Sequence, residues 1–370
     1  MEVFNRMSTR KTNRRLYRDN LADALRHDIV DGKFQPGDLI PTRVDLLARF
    51  NVAPATLQAA MHTLLDEGFI AVSASRYGTR VADHPPHLYH YVMVLPPRPH
   101  FESQYYKTLV AEAARIAGRG PMRISVFEGV AGHDDFESYS KITENVKHRR
   151  IKGVFFSTGA TEYKDTPLLT TPGIPRFAVG EQYELPTVPK AQFSLSSFFE
   201  RAASYLQAQG RRRPAILAHS AFNPSWQQDP IRRSLESCGL EFHSYLLQYG
   251  DVTHPESIRQ CMQLLLQLPA AKRPDSLIIA DDNLVEPATG VLKAEGGATN
   301  GKLTVVAHAN FPIATPSQVP AVRLGFDVSA LLQMALAAID AQSEGRNVPM
   351  FRQIPAVFEH ELPVHTNPVG

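Results

Sequence analysis

The groups with the most pointed chemistry are Asp281-Asp282 with His308, an imaginable acid–base set, and His84, His87 and His90, three histidines spaced three apart. Neither set is completed. No Gly-x-Ser-x-Gly elbow, phosphate-binding glycine loop or histidine pair at metal spacing accompanies them, and Gly296 to Gly301 reads as a turn after a helix. Pro85-Pro86 favours an extended segment in which the three histidines would not converge, and no cysteine or carboxylate fills out a coordination shell. An α/β enzyme therefore stays a thin alternative, with no catalytic residue, metal or cofactor assigned.

The chemistry that remains is recognition. Arg43, Thr56, Gln58 and His62 fall on one side of two short helical patterns, and Arg76, Tyr77, Gly78 and Arg80 cluster in a hairpin just after them. Glutamine pairs bidentately with adenine, while arginine pairs with guanine or sits on phosphate. The spacing favours Gln58 as a base reader and Arg43 as a phosphate contact. His62, like Arg49, is also accounted for as a solvated helix-surface group.

These residues need elements to present them. Leu21, Leu25, Ile29 and Val30 recur at helical spacing until Asp31-Gly32 stops the helix. Thr42 with Asp45 is a capping pair opening a helix over Thr42 to Phe50; Pro54 suits the first turn of the next, whose Leu57, Ala60, Met61, Leu64 and Leu65 face a core. Phe69 to Val72 and Thr79 to Val81 flank Ser73 to Gly78 as a hairpin. Two helices joined by a tight turn beside a basic hairpin make a winged helix-turn-helix.

The scaffold residues Leu25, Ile29, Gly32, Pro36-Gly37, Pro41-Thr42, Leu46, Phe50, Val52, Thr56, Ala60, Leu64, Gly68 and Gly78-Thr79 resemble the GntR-type winged helix over Tyr17 to Val81. The resemblance implies DNA binding. Its usual arginines are absent at Val44, Pro54 and Gln58, so the implied operator is not the typical one.

Charge is distributed to match. Residues 1–84 carry 12 Lys and Arg against 10 Asp and Glu, and the rest of the chain balances at 27 against 27. Arg6, Arg10, Lys11, Arg14, Arg15 and Arg18 face Glu2 alone in an arm (1–16 and just beyond) suited either to phosphates or a minor groove, or to solubility. Cys238 and Cys261 form no disulfide framework, and no run approaches membrane-spanning length. A cytoplasmic protein is expected.

The winged helix is expected over 17–83 and a linker over 84–90. Beyond it, short apolar runs at Tyr91–Leu95, Arg123–Phe127, Gly153–Phe156, Phe177–Val179, Ala215–Leu217, Leu277–Ala280 and Thr304–Ala307 alternate with amphipathic helices. That is an α/β pattern of two parallel sheets with crossover helices. Ile151 to Phe156, Gly173-Ile174-Pro175, Tyr205-Leu206, Gly210, Arg213 to Ile216, Ala280-Asp281-Asp282 and Ala321-Val322-Arg323 together resemble the LacI/GalR effector domain, with its two-lobed periplasmic-binding-protein fold, from Tyr91 to about Leu362. The combined layout resembles that of arabinose-repressor-type regulators.

The resemblance implies lobes of about 91–192 with 322–346 and 193–321 with 347–365, and a ligand in the cleft between them. Parallel sheets bind at the carboxyl ends of their strands, which nominates Phe101, Gln104, Ser157, Glu181, Trp226, Asp282, His308 and Asn310. By the same resemblance Asp282 contacts a sugar hydroxyl, and Trp226, the chain's one tryptophan, suits stacking on a sugar ring. The structural alternatives are a helix cap for Asp282 and a core position for Trp226. The implied function is a homodimeric repressor whose operator affinity follows a carbohydrate effector. A body that only dimerises is the alternative, and Leu331, Leu332, Ala335, Leu336 and Ile339 suit a dimer face or, more simply, lobe core.

Overall fold

A computed structural model describes residues 18–72, 78–96, 103–128, 136–182, 184–220, 228–296 and 303–363. Helix α1 (18–30) ends before Gly32, whose φ of 78° lies in the left-handed region that a residue without a Cβ enters freely. The Thr42 hydroxyl accepts from the Asp45 N–H and the Asp45 carboxylate accepts from the Thr42 N–H, so a reciprocal capping box starts α2 (Arg43–Phe50). Pro54 opens α3 (Pro54–Asp66), where its missing N–H costs nothing. Leu25, Ile29, Leu46, Leu57, Leu64 and Phe69 close one core among these helices. Strands β1 (Ile70–Val72) and β2 (Thr79–Val81) pair antiparallel, and Leu39 bridges to Arg80 beside them.

The segment 84–90 corrects the expected extended linker. Pro85 is extended, as the residue before a proline must be, and Pro86 starts a four-residue helix, α4 (Pro86–Tyr89), that runs into β3 (His90–Leu95). Two prolines thus end one element and begin another. His87 stacks on Phe69 at 5.7 Å, His84 meets Tyr89 edge-on at 4.6 Å, and His90 bonds the Arg150 carbonyl and the Ser125 hydroxyl. The three rings turn to three different partners.

Strands and helices then alternate through α5 (Gln104–Ala117), β4 (Arg123–Glu128), α6 (Phe136–Lys147), β5 (Gly153–Phe156), α7 (Pro167–Thr170), β6 (Arg176–Val179) and β7 (Lys190–Phe193). They continue through α8 (Leu195–Ala208), β8 (Pro214–His219), α9 (Gln228–Ser237), β9 (Leu247–Gly250), α10 (Pro255–Leu266), β10 (Ser276–Ile279) and α11 (Val285–Ala294). The last are β11 (Thr304–Phe311), β12 (Val322–Asp327), α12 (Val328–Ser343), β13 (Phe351–Ile354) and β14 (Val357–Phe358). The first sheet has the order β13-β7-β6-β5-β3-β4 and is wholly parallel; the second has the order β14-β12-β11-β10-β8-β9, with β14 antiparallel at its edge.

Three crossings join the two sheets: after β7, where Ser194 caps α8; after β12, where Asp327 caps α12; and between β13 and β14. Two of the expected lobe limits are corrected here. Val322–Asp327 pairs with β11 in the second sheet, and Phe351–Ile354 pairs with β7 in the first. Helix α12 does pack on α5, β5 and β6, and its Leu331, Leu332, Ala335, Leu336 and Ile339 are buried lobe core.

Candidate nucleic-acid interface and interlobe site

In the amino-terminal unit, burial of Leu57, Ala60 and Leu64 turns the opposite side of α3 outward. Gln58 and His62 are exposed there and Thr56 is half-buried. With Arg43 from α2 and the base of the hairpin, Gln58 and His62 line an open groove of about 690 Å³ to which Leu39, Met61 and Val72 add apolar surface. Arg43 Nη2 donates to Gln58 Oε1 at 3.0 Å, so the two helices are tied across this face. Gly78 is exposed with φ 92°, which lets the hairpin turn. Arg80, at the base of the hairpin, donates from Nη1 to the Gly37 carbonyl at 2.9 Å. Arg76 and Tyr77 lie outside the described residues.

Behind the groove, charged groups join this unit to the first lobe. Glu67, just past α3, meets Arg26 Nη2 at 2.6 Å and Arg150 Nη2 at 2.5 Å; the Arg26 and Glu67 side chains are 4% and 9% exposed. Arg26 also pairs with Asp23, which lies 2.9 Å from His148. Arg150 and His148 belong to the turn after α6, so the junction couples α1 and α3 to a lobe helix.

Between the lobes, Asn310 Nδ2 donates to Asp282 Oδ2 at 2.8 Å, both side chains being buried. Burial, with Asp281 adding its charge, pushes the Asp282 carboxyl up to about 7. His308 lies two residues before Asn310 on β11, hence on the same sheet face. Its ring packs between Phe198 and Phe326 at 5.3 and 5.5 Å, and burial pushes it down to about 4. The Gln104 N–H at the start of α5 donates to Asn283 Oδ1 at 2.9 Å, and the Thr108 hydroxyl reaches the Asn310 carbonyl at 3.4 Å. The first lobe's helix is thereby held against the second lobe's strand ends.

Ser157 is tied into its own lobe: its hydroxyl donates to the Val94 carbonyl at 2.8 Å, and its carbonyl accepts from Tyr105 Oη at 3.0 Å. Glu181 stands exposed just past β6. Phe101 and Trp226 lie outside the described residues. The reading from sequence missed the aromatic chain that spans the crossings, in which Tyr105 meets Phe193 edge-on at 5.6 Å and Phe193 stacks on Phe326 at 4.6 Å. An aromatic residue at or beside a strand end next to a crossover is the signal that would have found Phe193 and Phe326.

Residues 93–358 match the periplasmic binding proteins and sugar binding domain of the LacI family. The chain belongs to this family. Residues 17–81 match the bacterial regulatory proteins of the gntR family, so the LacI-family body carries a GntR-type DNA-binding head, and the protein is a transcription regulator. Solved structures agree on the fold. The transcriptional regulator CelR in complex with cellobiose is 18% identical, with 83% of this chain and 90% of that one covered and a TM-score of 0.54. The Escherichia coli transcriptional repressor ascG is 14% identical over 73% and 97% of the two chains, with a TM-score of 0.54. A LacI family regulator from Lactobacillus casei with bound glucose is 17% identical over 73% and 97%, with a TM-score of 0.53. No curated protein sequence matches this chain. Among the described residues no helix is long and apolar enough to cross a membrane.

Proposed function

We propose that this regulator is a cytoplasmic bacterial repressor, homodimeric on a palindromic operator, and that a sugar or sugar derivative between the lobes sets its grip on DNA. The units are an arm over 1–16, the winged head over 17–83, a junction over 84–90 and the effector body over 91–365. One observation carries the effector half: a buried carboxyl, Asp282, with Asn310 beside it, sits where α5 of one lobe docks on the strand ends of the other. A carboxyl and an amide together offer the paired donors and acceptors that sugar hydroxyls need. Gln104, Glu181 and His308, with Phe101 and Trp226, complete the proposed surroundings.

A ligand that favours one interlobe angle shifts the population of that angle, and through the Glu67 junction the spacing of two heads on DNA. Arg43, Thr56, Gln58 and His62, with Arg76, Tyr77, Gly78 and Arg80, form the proposed DNA face. The sugars bound by CelR and by the Lactobacillus casei protein support the effector class.

Two measurements test the proposal. Binding to promoter fragments should weaken steeply with salt, and a panel of sugars should raise Tm for one of them and change DNA affinity with it. Asp282→Asn should abolish that Tm rise and leave ligand-free DNA binding intact. A panel with no thermal response would support the dimerising body instead.

A further inference from the structure

Most of the described cations of the head are hydrogen-bonded or ion-paired to groups outside the groove face. Arg18 pairs with Asp19, Arg26 with Glu67, and Lys33 and Arg49 with Asp28, while Arg80 bonds the Gly37 carbonyl. Arg43 differs: its partner is Gln58, a neighbour on the groove face itself, reached from α2 to α3.

That one hydrogen bond has a chemical consequence. A guanidinium has donors only, so it must meet the amide oxygen of Gln58, and this fixes the amide's orientation. One of the two lone pairs of Oε1 is engaged, and Nε2 is left as a donor. Bidentate recognition of adenine needs an acceptor for its N6 amino group as well as a donor for N7, whereas Arg43 and Gln58 together present several N–H donors against the single lone pair left on Oε1. Guanine offers N7 and O6, two acceptors, to which the remaining donors of Arg43 and the amide of Gln58 are complementary.

We propose that Arg43 and Gln58 are a single base-reading unit that selects guanine, Arg43 supplying the fork and Gln58 holding it. This rests on the DNA-binding reading above and replaces the separate roles expected from sequence, in which Gln58 read adenine and Arg43 held phosphate. It also gives the head a guanidinium on its reading face despite Val44, Pro54 and Gln58 at the family's arginine positions. Holding the long side chain in advance reduces the ordering that binding would otherwise require.

The test is selection from a pool of randomised duplexes with the full chain at fixed salt. A G·C pair should be enriched over A·T by about ten-fold or more at one position of each half-site. Arg43→Lys, which keeps the charge and loses the fork, and Gln58→Ala should each flatten that position. Arg43→Ala/Gln58→Ala should flatten it no further than Arg43→Ala. Affinity of Arg43→Lys for unselected duplex should stay close to that of the unaltered protein, which shows the head is folded.

Relaxation of an A·T position by Gln58→Ala alone would overturn the inference. So would an Arg43→Ala variant that weakens all sequences alike and lowers the salt slope by about one, the mark of a phosphate contact. If the unaltered protein binds no duplex even in dilute salt, the DNA-binding reading fails, and this inference falls with it; intact binding with an unmoved base preference sinks the inference alone.

Discussion

Asp282 and His308 are shifted by burial in opposite directions, with opposite effects on stability. The Asp282 carboxyl rises to about 7 in the fold from an ordinary value of 3.8. Below about 4 both folded and unfolded chains hold its proton; as pH climbs toward 7 the unfolded chain releases it first, so the stability it contributes is full in acid and lost across that window. Comparing urea unfolding of the unaltered protein with Asp282→Asn between pH 4.5 and 8 should show the former losing stability relative to the latter, on the order of a few kcal/mol. A pH-independent difference would mean that Asp282 titrates as an exposed carboxylate. His308, lowered to about 4, works the other way: its contribution is full above about 6.5 and disappears as pH falls toward 4. Asp282 was legible beforehand because an acid after a buried strand is a local pattern. The packing of His308 between Phe198 and Phe326 was not, since those rings come from distant parts of the chain.

At the scale of elements, local chemistry starts the helices and close approach sets the strands. Thr42→Ala removes the oxygen that caps α2 and should cost about 1 kcal/mol, read as a lower unfolding midpoint for the head. Gly325 lies opposite Ala309 in the β11–β12 pairing, and a Cβ there would collide with the Ala309 backbone carbonyl. Backbone cannot yield as a side-chain tip can, so Gly325→Ala should destabilise the second lobe by about 1–3 kcal/mol by chemical denaturation. The capping box, the proline start of α3 and most apolar strands were readable in short windows. The strands β7, β9, β12, β13 and β14 were not, because stretches such as Lys190–Phe193, Leu247–Gly250 and Phe351–Ile354 have too few apolar residues to show a pattern. The 84–90 segment was misread for a related reason: proline marks a boundary without saying what lies on its far side.

For the whole molecule, the junction at Glu67 is where charged groups of the head meet the first lobe. Glu67→Gln would leave Arg26 and Arg150 facing each other without the shared carboxylate between them. Removing one member of a buried ionic group costs about 3–5 kcal/mol. The variant should lower head stability by that order and uncouple DNA affinity from effector, both seen by titrating DNA with and without the responsive sugar. Unchanged coupling would show that the signal takes another route. Head, body and their order were set by the sequence alone, through periodic apolar positions, caps and turn residues that act over a few residues each. Only the tertiary structure decided which sheet receives β12 and β13, which cations are spent on carboxylates, and that Arg43 meets Gln58. Those outcomes depend on pairings between residues far apart in the chain, whose free energies no local window contains.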